Sequence, residues 1–358
     1  MADIVVRLMV PADQERLLTK IKNILSETGA NKASIFSQEL WEWQCLTPEF
    51  EAFITVAEDG PDIIGWYHLV SRPMRIDGQP RVMVLLQDLG VLPEYRRHGL
   101  FNRIAQVSMD ECTRRVWDIT YSFPNHRSFP GLIKHQGYTH VGNAPLRVRP
   151  LTPGEMLAAR LPLKGLWRLI GHAGMALYDG LFPLRTPADL QVEEVTHFDE
   201  KVDEVSADFL GKVRLGCVRS AAYLNWRYLA KPTHEYRAWG ARRNGRLTAF
   251  LITRRATMFG TDCMVIMDLG CRDGAEADLL ALIASRLRAE REAGAILAVT
   301  MGTHPFFSQL GRLGYLRIPD RVNPRPLRFV ARGHTDRVGD EIKVMSNWLT
   351  TPGDWDVL

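Results

Sequence analysis

The chain has 358 residues, 46% apolar and 24% charged, with a net charge of +4. It is too long for one small core and suits about two domains; its mild positive charge fits a small anionic ligand as readily as nucleic acid. The five cysteines (Cys45, Cys112, Cys217, Cys263 and Cys271) are odd in number, scattered and without CxxC spacing, which argues against a zinc site or disulfide framework and for a reducing compartment.

The N-terminus, MADIVVRLMVPADQERLL, has early acids and no continuous apolar run, so no signal peptide is expected. Alternating and helical apolar spacing then predicts a strand (3–9), a helix (11–28), strands near 51–57, 62–70 and 81–91, a helix (99–115), a strand (117–122), a helix (127–136) and a strand (138–148). Residues 151–203 read as a Pro-punctuated connector with helical pieces. Within it, LWRLIGHAGMALYDGLFPL (166–184) is interrupted by Arg168, His172, Asp179 and Pro183, so it is expected to be a buried or surface-lying helix rather than a membrane span. A cytoplasmic protein is expected.

Three pairs of segments match in order, about 180 residues apart. Residues 41–69 resemble 224–252; VMVLLQDLGV (82–91) resembles CMVIMDLGC (263–271); and FPGLIKHQGYTHVG (129–142) resembles FFSQLGRLGYLRIP (306–319). The ordered matches predict a duplicated domain: one copy in 1–150, a second in 204–333, and a tail over 334–358.

Residues 89–104 read LGVLPEYRRHGLFNRI. A strand ends at Val91, Pro93 cannot continue a central ladder, and Leu100, Ile104 and Val107 recur at helical spacing. The intervening loop therefore feeds a helix N-terminus, where backbone N–H groups lack partners and the dipole is positive. Gly99 permits close approach of a ligand, and arginines suit phosphate oxygens. The stretch reads as an anion cradle with a diphosphate as its natural occupant; a basic loop capping a helix without a ligand is the alternative.

VLPEYRRHGLF resembles the acyl-CoA pyrophosphate loop of the GNAT (Gcn5-related N-acetyltransferase) superfamily, Val-x-Pro-x-x-Arg/Gln-x-x-Gly-x-Gly/Ala. Arg96 and Gly99 fill the Arg/Gln and first Gly positions, while Phe101 stands where a second small residue is usual. The tandem arrangement also resembles bilobal members. The resemblance implies an α/β fold, a tandem duplication of a GNAT-like mixed β-sheet flanked by helices. It further implies that Leu89, Gly90 and Val91 contact pantetheine and supply the oxyanion N–H, that Arg96, Arg97, His98, Gly99, Leu100 and Phe101 hold the pyrophosphate, and that Asn125 contacts the pantetheine arm. The second copy keeps Asp268-Leu269-Gly270 but carries Asp273, Glu276 and Asp278 at its helix start, which would repel a pyrophosphate; it is expected to be degenerate.

The available carboxylate beside the loop is Asp88, as base or as a binder of a cationic amine; its repetition as Asp268 favours a structural role instead. The general-acid Tyr of the family is missing, since Leu132 or Ile133 falls at its place. Some bilobal relatives use their own C-terminal carboxylate, which makes Leu358, with Asp354 and Asp356 nearby, a second candidate; a docked or frayed acidic tail is the plainer reading. Trp41 and Trp43 are candidates for the acceptor pocket, although residues two apart on a helix face different sides and at least one is expected in the core. No metal is assigned, and GxGxxG and GxxxxGK[ST] are absent.

The implied function is acetyl transfer from acetyl-CoA, or another acyl-CoA, to a primary amine of a small molecule or amino sugar. A longer-chain acyl-CoA N-acyltransferase and a non-catalytic acyl-CoA-binding protein are the alternatives. Nucleic-acid binding and a membrane span are not expected.

Overall fold

β-branched and aromatic runs become strands, and the i, i+3/i+4 apolar segments between them become helices. A computed structural model describes residues 4–27, 37–45, 50–96, 98–159, 161–258, 260–323 and 326–355. In chain order the elements are β1 (Val5–Leu8), α1 (Gln14–Glu27), α2 (Gln38–Cys45), β2 (Ala52–Asp59), β3 (Asp62–Ile76), β4 (Gln79–Val91), α3 (Leu100–Arg114), β5 (Ile119–Ser122), α4 (Phe129–His135), β6 (Thr139–Asn143), β7 (Leu146–Pro150), α5 (Pro153–Ala158) and α6 (Lys164–Leu181). Then follow β8 (Leu190–Val195), α7 (Lys201–Leu210), β9 (Leu215–Cys217), α8 (Ala221–Leu224), β10 (Arg237–Arg243), β11 (Arg246–Met258), β12 (Thr261–Cys271), α9 (Glu276–Glu292), β13 (Leu297–Met301), β14 (Leu316–Arg317), β15 (Arg328–Gly333) and β16 (Trp348–Leu349). The tight hairpins β3–β4 and β10–β11 turn on Asp77-Gly78 and Asn244-Gly245, all four residues with positive φ, as a two-residue turn matching strand twist requires.

By contacts the described chain forms two units: one of residues 4–142, 231–233 and 327–345, the other of 143–230, 234–326 and 346–355. The first unit's sheet runs β1-β2-β3-β4-β5-β15-β6, the second's β14-β7-β13-β12-β11-β10-β8. Each sheet thus holds a strand from the far side of the chain. β7 pairs antiparallel with β13 (Leu146↔Met301), and β15 pairs antiparallel with β5 (Val330↔Ser122).

The expected single strand over 138–148 is therefore two strands in two sheets. Pro145 lacks an N–H and keeps Ala144 from continuing smoothly, so the run breaks between Asn143 and Leu146. The contact units interleave along the chain because β7 joins the sheet of the later strands and β15 that of the earlier ones.

In the first unit, α3 lays Leu100, Ile104, Met109 and Cys112 on Tyr67, Leu69, Val84 and Leu86. Leu17, Leu18 and Ile21 of α1 and Trp41 of α2 cover Ile54, Val56, Ile63 and Trp66. Successive strand residues point to opposite faces, so helices flank both sides of the sheet. In the second unit α9 plays the part of α3, with Leu279, Leu282, Ile283 and Leu287 against Leu251, Met264 and Ile266.

The duplication is visible at single-residue resolution. In β3–β4 the register runs His68↔Asp88 and then Leu69↔Leu86, leaving Gln87 as a bulged residue. In β11–β12 it runs Ile252↔Asp268 and then Thr253↔Ile266, leaving Met267 bulged. Two residues on, Gly90 faces Trp66 and Gly270 faces Phe250. At either glycine a Cβ would stand 2.5 Å from the opposing ring. The fold is a tandem duplication of one mixed sheet flanked by helices.

Candidate active site

The first unit's central strands are where a ligand can enter. β4 and β5 are parallel and pair only over Met83↔Ile119, Val84↔Thr120 and Leu85↔Tyr121. β4 then continues to Val91 while its side chains pass from buried to half-exposed at Gln87. The bulge at Gln87 falls where this pairing ends, and bulges bend a strand and re-aim its side chains. Asp88, Leu89, Gly90 and Val91 therefore lie along an opened strand end.

Asp88 is half-exposed there, and Trp66 Nε1 donates to its Oδ2 at 3.2 Å. The indole lies under Gly90, so the glycine is required by space: any side chain would collide with the ring. Trp66, which orients Asp88 and shapes the strand end, was not singled out in the sequence. The duplicated Asp-Leu-Gly was its available signal, because a glycine kept inside a strand marks close approach of a neighbour.

After Val91 the chain makes a 3-10 turn, Pro93–Tyr95. Tyr95 Oη donates to Asp59 Oδ2 at 2.8 Å, which fixes the loop against the β2–β3 hairpin and raises the Tyr95 phenol above its ordinary pKa through that bond. Arg96 is exposed and its Nε donates to Val91 O at 2.9 Å. Arg97 lies outside the described residues. His98 is exposed, and Gly99 caps α3 at φ +73°, with no atom within 4 Å of where a Cβ would be. Here glycine is required by conformation, and open space lies beyond it.

The Asn102 and Arg103 amides donate to Gly99 O, while those of Leu100 and Phe101 begin the helix and have no intrahelical acceptor. Leu100 is buried. Phe101 turns its ring onto α4, where a Cβ on Gly131 would stand 2.9 Å from it. The bulk at the family's second small position is thus directed at α4. These features fit an anion such as a pyrophosphate: an unsatisfied helix start, a left-handed glycine with open space and an exposed arginine.

Asn125, exposed after β5, accepts through Oδ1 from the amides of Arg127 (2.8 Å) and Ser128 (3.1 Å). It closes the turn that leads into α4, whose N-cap is Ser128. In the second unit the turn that follows β13 is capped by His304, whose Nδ1 accepts from Phe306 N at 3.1 Å.

Trp41 is 4% exposed, packs in the core and stacks on His68, so of the two tryptophans it is the core one. Trp43 is half-buried, with Lys231 Nζ 5.1 Å from its ring centroid. Leu132 is fully buried. Tyr67 Oη and Tyr138 Oη lie 3.1 Å apart, and burial pushes both phenols far up; neither is poised to give up a proton.

Asp268 is in a different setting from Asp88. It is fully buried, accepts from Arg219 Nε at 3.0 Å and Tyr228 Oη at 2.8 Å, and shares Arg219 with Asp354 (2.7 Å). Burial pushes its carboxyl up, and Arg219 opposes this. Arg227 donates to the carbonyls of Gly353 (3.1 Å) and Trp355 (3.0 Å). The tail is thus docked in the second unit through Trp355, with Asp354 in a structural ion pair. Asp356 and Leu358 lie outside the described residues. No group of three or more His, Cys, Asp or Glu able to hold a metal occurs among the described residues.

Residues 22–141 match the family model described as an acetyltransferase (GNAT) domain. No curated protein sequence matches the chain. Among solved structures the chain is similar to a GCN5-related N-acetyltransferase from Anabaena variabilis, at 13% identity over 92% of this chain and 73% of that one, with TM-score 0.59. It is also similar to a tandem GNAT protein from the clavulanic acid biosynthesis pathway (13%, 93% and 99%, 0.55) and to Saccharomyces cerevisiae N-myristoyltransferase with bound myristoyl-CoA (12%, 92% and 78%, 0.56). Residues 22–141 thus match an acetyltransferase domain of the GNAT type, and the chain has a fold similar to that of a tandem GNAT structure.

Proposed function

We propose that the protein is an acyl-CoA-dependent N-acyltransferase, most simply one that moves acetyl from acetyl-CoA to a primary amine of a small molecule or amino sugar. The observation that carries the reading is the loop from Val91 to Phe101, which leads an opened strand end into an unsatisfied helix start through a left-handed Gly99.

In this reading Arg96, Arg97, His98, Gly99, Leu100 and Phe101 receive the pyrophosphate, chiefly through main-chain N–H groups and arginine charge. The opened edge of Leu89–Val91 receives the pantetheine, and its main-chain N–H groups steady the oxyanion as the amine adds to the carbonyl. The thioester supplies the activated acyl group: as the new C–N bond forms, the carbon–sulfur bond breaks, and CoA leaves as a thiolate that takes its proton from water. Asp88, held by Trp66 Nε1, accepts a proton from the incoming ammonium or holds it by charge. Asn125 keeps α4 at the far side of the opening. The degenerate copy contributes fold, with Asp268 anchoring rather than reacting.

A longer acyl chain is the second reading, favoured by the likeness to a fold that carries myristoyl-CoA in a neighbour. Calorimetric titration with acetyl-CoA and with myristoyl-CoA separates the two. One acetyl-CoA site per chain, weakened at least tenfold in an Arg96→Glu, Gly99→Glu variant of unchanged circular dichroism, is the expected result. Tighter binding of myristoyl-CoA would favour the second reading. Absence of binding by either, or full binding in the variant, would refute the cradle.

A further inference from the structure

One face of the second unit's sheet carries more arginines than acids to meet them. Arg147 and Arg149 of β7 are two residues apart and so share a face. On the antiparallel neighbour β14, Arg317 stands directly opposite Arg147. Asp179 of α6 takes Arg149 Nη2 at 2.7 Å and Arg291 Nη1 at 2.5 Å, so one carboxylate serves both of those arginines.

Arg147 and Arg317 have no such partner. Among the described residues neither has a carboxylate within ion-pair distance. Asp320, the acid nearest Arg317 in sequence, instead accepts from Asn143 Nδ2 at 2.8 Å. Like charges directly opposite in an antiparallel pair are destabilising, and burial together with Arg317 holds the Arg147 guanidinium down to about 10.

Arg147 is also fixed in place. It is half-buried, its Nη1 donates to Gly302 O at 3.1 Å, and its Cζ lies 5.0 Å from the Phe307 ring centroid. Nε and Nη2 are left without a protein acceptor, and Arg317 across from them is exposed, which leaves the pair open to solvent. Two further donors lie beside the pair. Arg149 Nε and Tyr315 Oη have no hydrogen-bond partner, in side chains only 0% and 5% exposed, and a buried donor left unpaired is costly. Tyr315 is close enough to Arg149 for the guanidinium to offset part of the rise that burial imposes on its phenol.

An oxyanion would relieve the repulsion and accept from the free guanidinium edges. Guanidiniums on neighbouring strands suit an acceptor that is open in several directions and carries nearly two charges, which describes a phosphate better than a flat, singly charged carboxylate. We infer that Arg147 and Arg317 form an oxyanion site on the second unit, made of none of the residues of the Val91–Phe101 loop, that takes inorganic phosphate or a phosphate monoester.

The test is thermal unfolding and calorimetric titration of the full chain with inorganic phosphate, glycerol phosphate and succinate, at ionic strength held with sodium chloride. The Arg96→Glu, Gly99→Glu variant serves as parent, so that the first unit's loop does not contribute. Saturable phosphate binding with a rise in Tm is expected. Adding Arg317→Gln is expected to weaken binding at least tenfold and, without phosphate, to leave Tm unchanged or higher, because it removes a repulsion. Tighter binding of glycerol phosphate than of phosphate would identify a monoester as the ligand, and the reverse order the free ion. No binding of either phosphate, equal binding after Arg317→Gln, or tighter binding of succinate overturns the inference. So does a lower Tm of Arg317→Gln without phosphate, which would show that the charge is already neutralised within the protein.

Discussion

Replacing Asp268 by asparagine turns the carboxylate that faces Arg219 at 3.0 Å into a neutral amide, inside a cluster with no exposure to water. Removing one partner of a buried ion pair costs about 3–5 kcal/mol. Arg219 keeps Asp354 at 2.7 Å, so the lower end, about 3 kcal/mol, is expected. For a unit of this size that is a fall in Tm of about 6–12 °C.

The same substitution at Asp88 meets half-exposed surroundings, and Trp66 Nε1 can still donate to the amide oxygen. The difference between a charge-assisted and a neutral hydrogen bond is about 1 kcal/mol, or less than about 4 °C. Turnover, however, is expected to fall about a hundredfold, as loss of a general base does. Scanning calorimetry of both variants and a steady-state assay of released thiol check the pair. A neutral Asp268→Asn would refute the ionic anchor. An Asp88→Asn enzyme of undiminished rate would refute the proposed base, and one as unstable as Asp268→Asn would make the two duplicated acids alike.

Gly90→Ala places a methyl 2.5 Å from the Trp66 ring, and such overpacking is expected to cost about 1–3 kcal/mol and to weaken the Trp66–Asp88 bond. Thermal unfolding reads the first and turnover the second; a variant of unchanged Tm would mean that the indole has room to move. His304 is buried, donates from Nε2 to Phe209 O at 2.9 Å, and is held down to about 4 by burial. The unfolded chain therefore takes up a proton near pH 6.5 that the folded chain refuses until near pH 4. This contribution is full above pH 6.5 and fades as pH falls, by about 2 kcal/mol at pH 5. Denaturant titrations at pH 7.5 and pH 5 are expected to show a loss smaller by that amount in His304→Asn; equal losses in the two proteins would exclude the buried imidazole as its source.

Much of the fold could be read from local pattern, because strand alternation and helix spacing are local properties. The duplicated Asp-Leu-Gly ends of β4 and β12 were legible, as were the loop and helix that follow the first of them. Strand exchange was not. Leu146–Pro150 and Arg328–Gly333 have ordinary strand sequences, and nothing in either says which sheet it joins; only the break at Pro145 hinted that one run was two strands. Among the candidate site residues, burial made the distinctions that composition could not. Trp41 and Trp43 look alike in sequence, yet Trp41 is sealed against Leu17, Ile54 and Trp66. Asp88 and Asp268 share a motif and a bulge, and differ because Arg219 sits beside only the second in a dry interior.

The two loops after these strands carry the divergence of the copies. Gly99 and Gly274 are both left-handed, at φ +73° and φ +74°, and both open onto space, so the backbone device for bringing a helix start near a ligand survives twice. What surrounds it does not. The first loop adds Arg96, Arg97 and His98, and α3 has no acid in its first turn. The second loop is shorter, pairs Asp273 with Lys212, and starts α9 with Glu276 and Asp278. Negative side chains at a helix start satisfy its dipole from within the protein, and a helix whose first turn is so satisfied has no use for a phosphate. If the first loop is a cradle, converting the second into one takes more than adding an arginine: Glu276 and Asp278 must go, and Asp278 is itself bound to Arg243 at 2.8 Å. The second copy thus traded an open helix start for an internally paired one, while the first kept its positive end exposed.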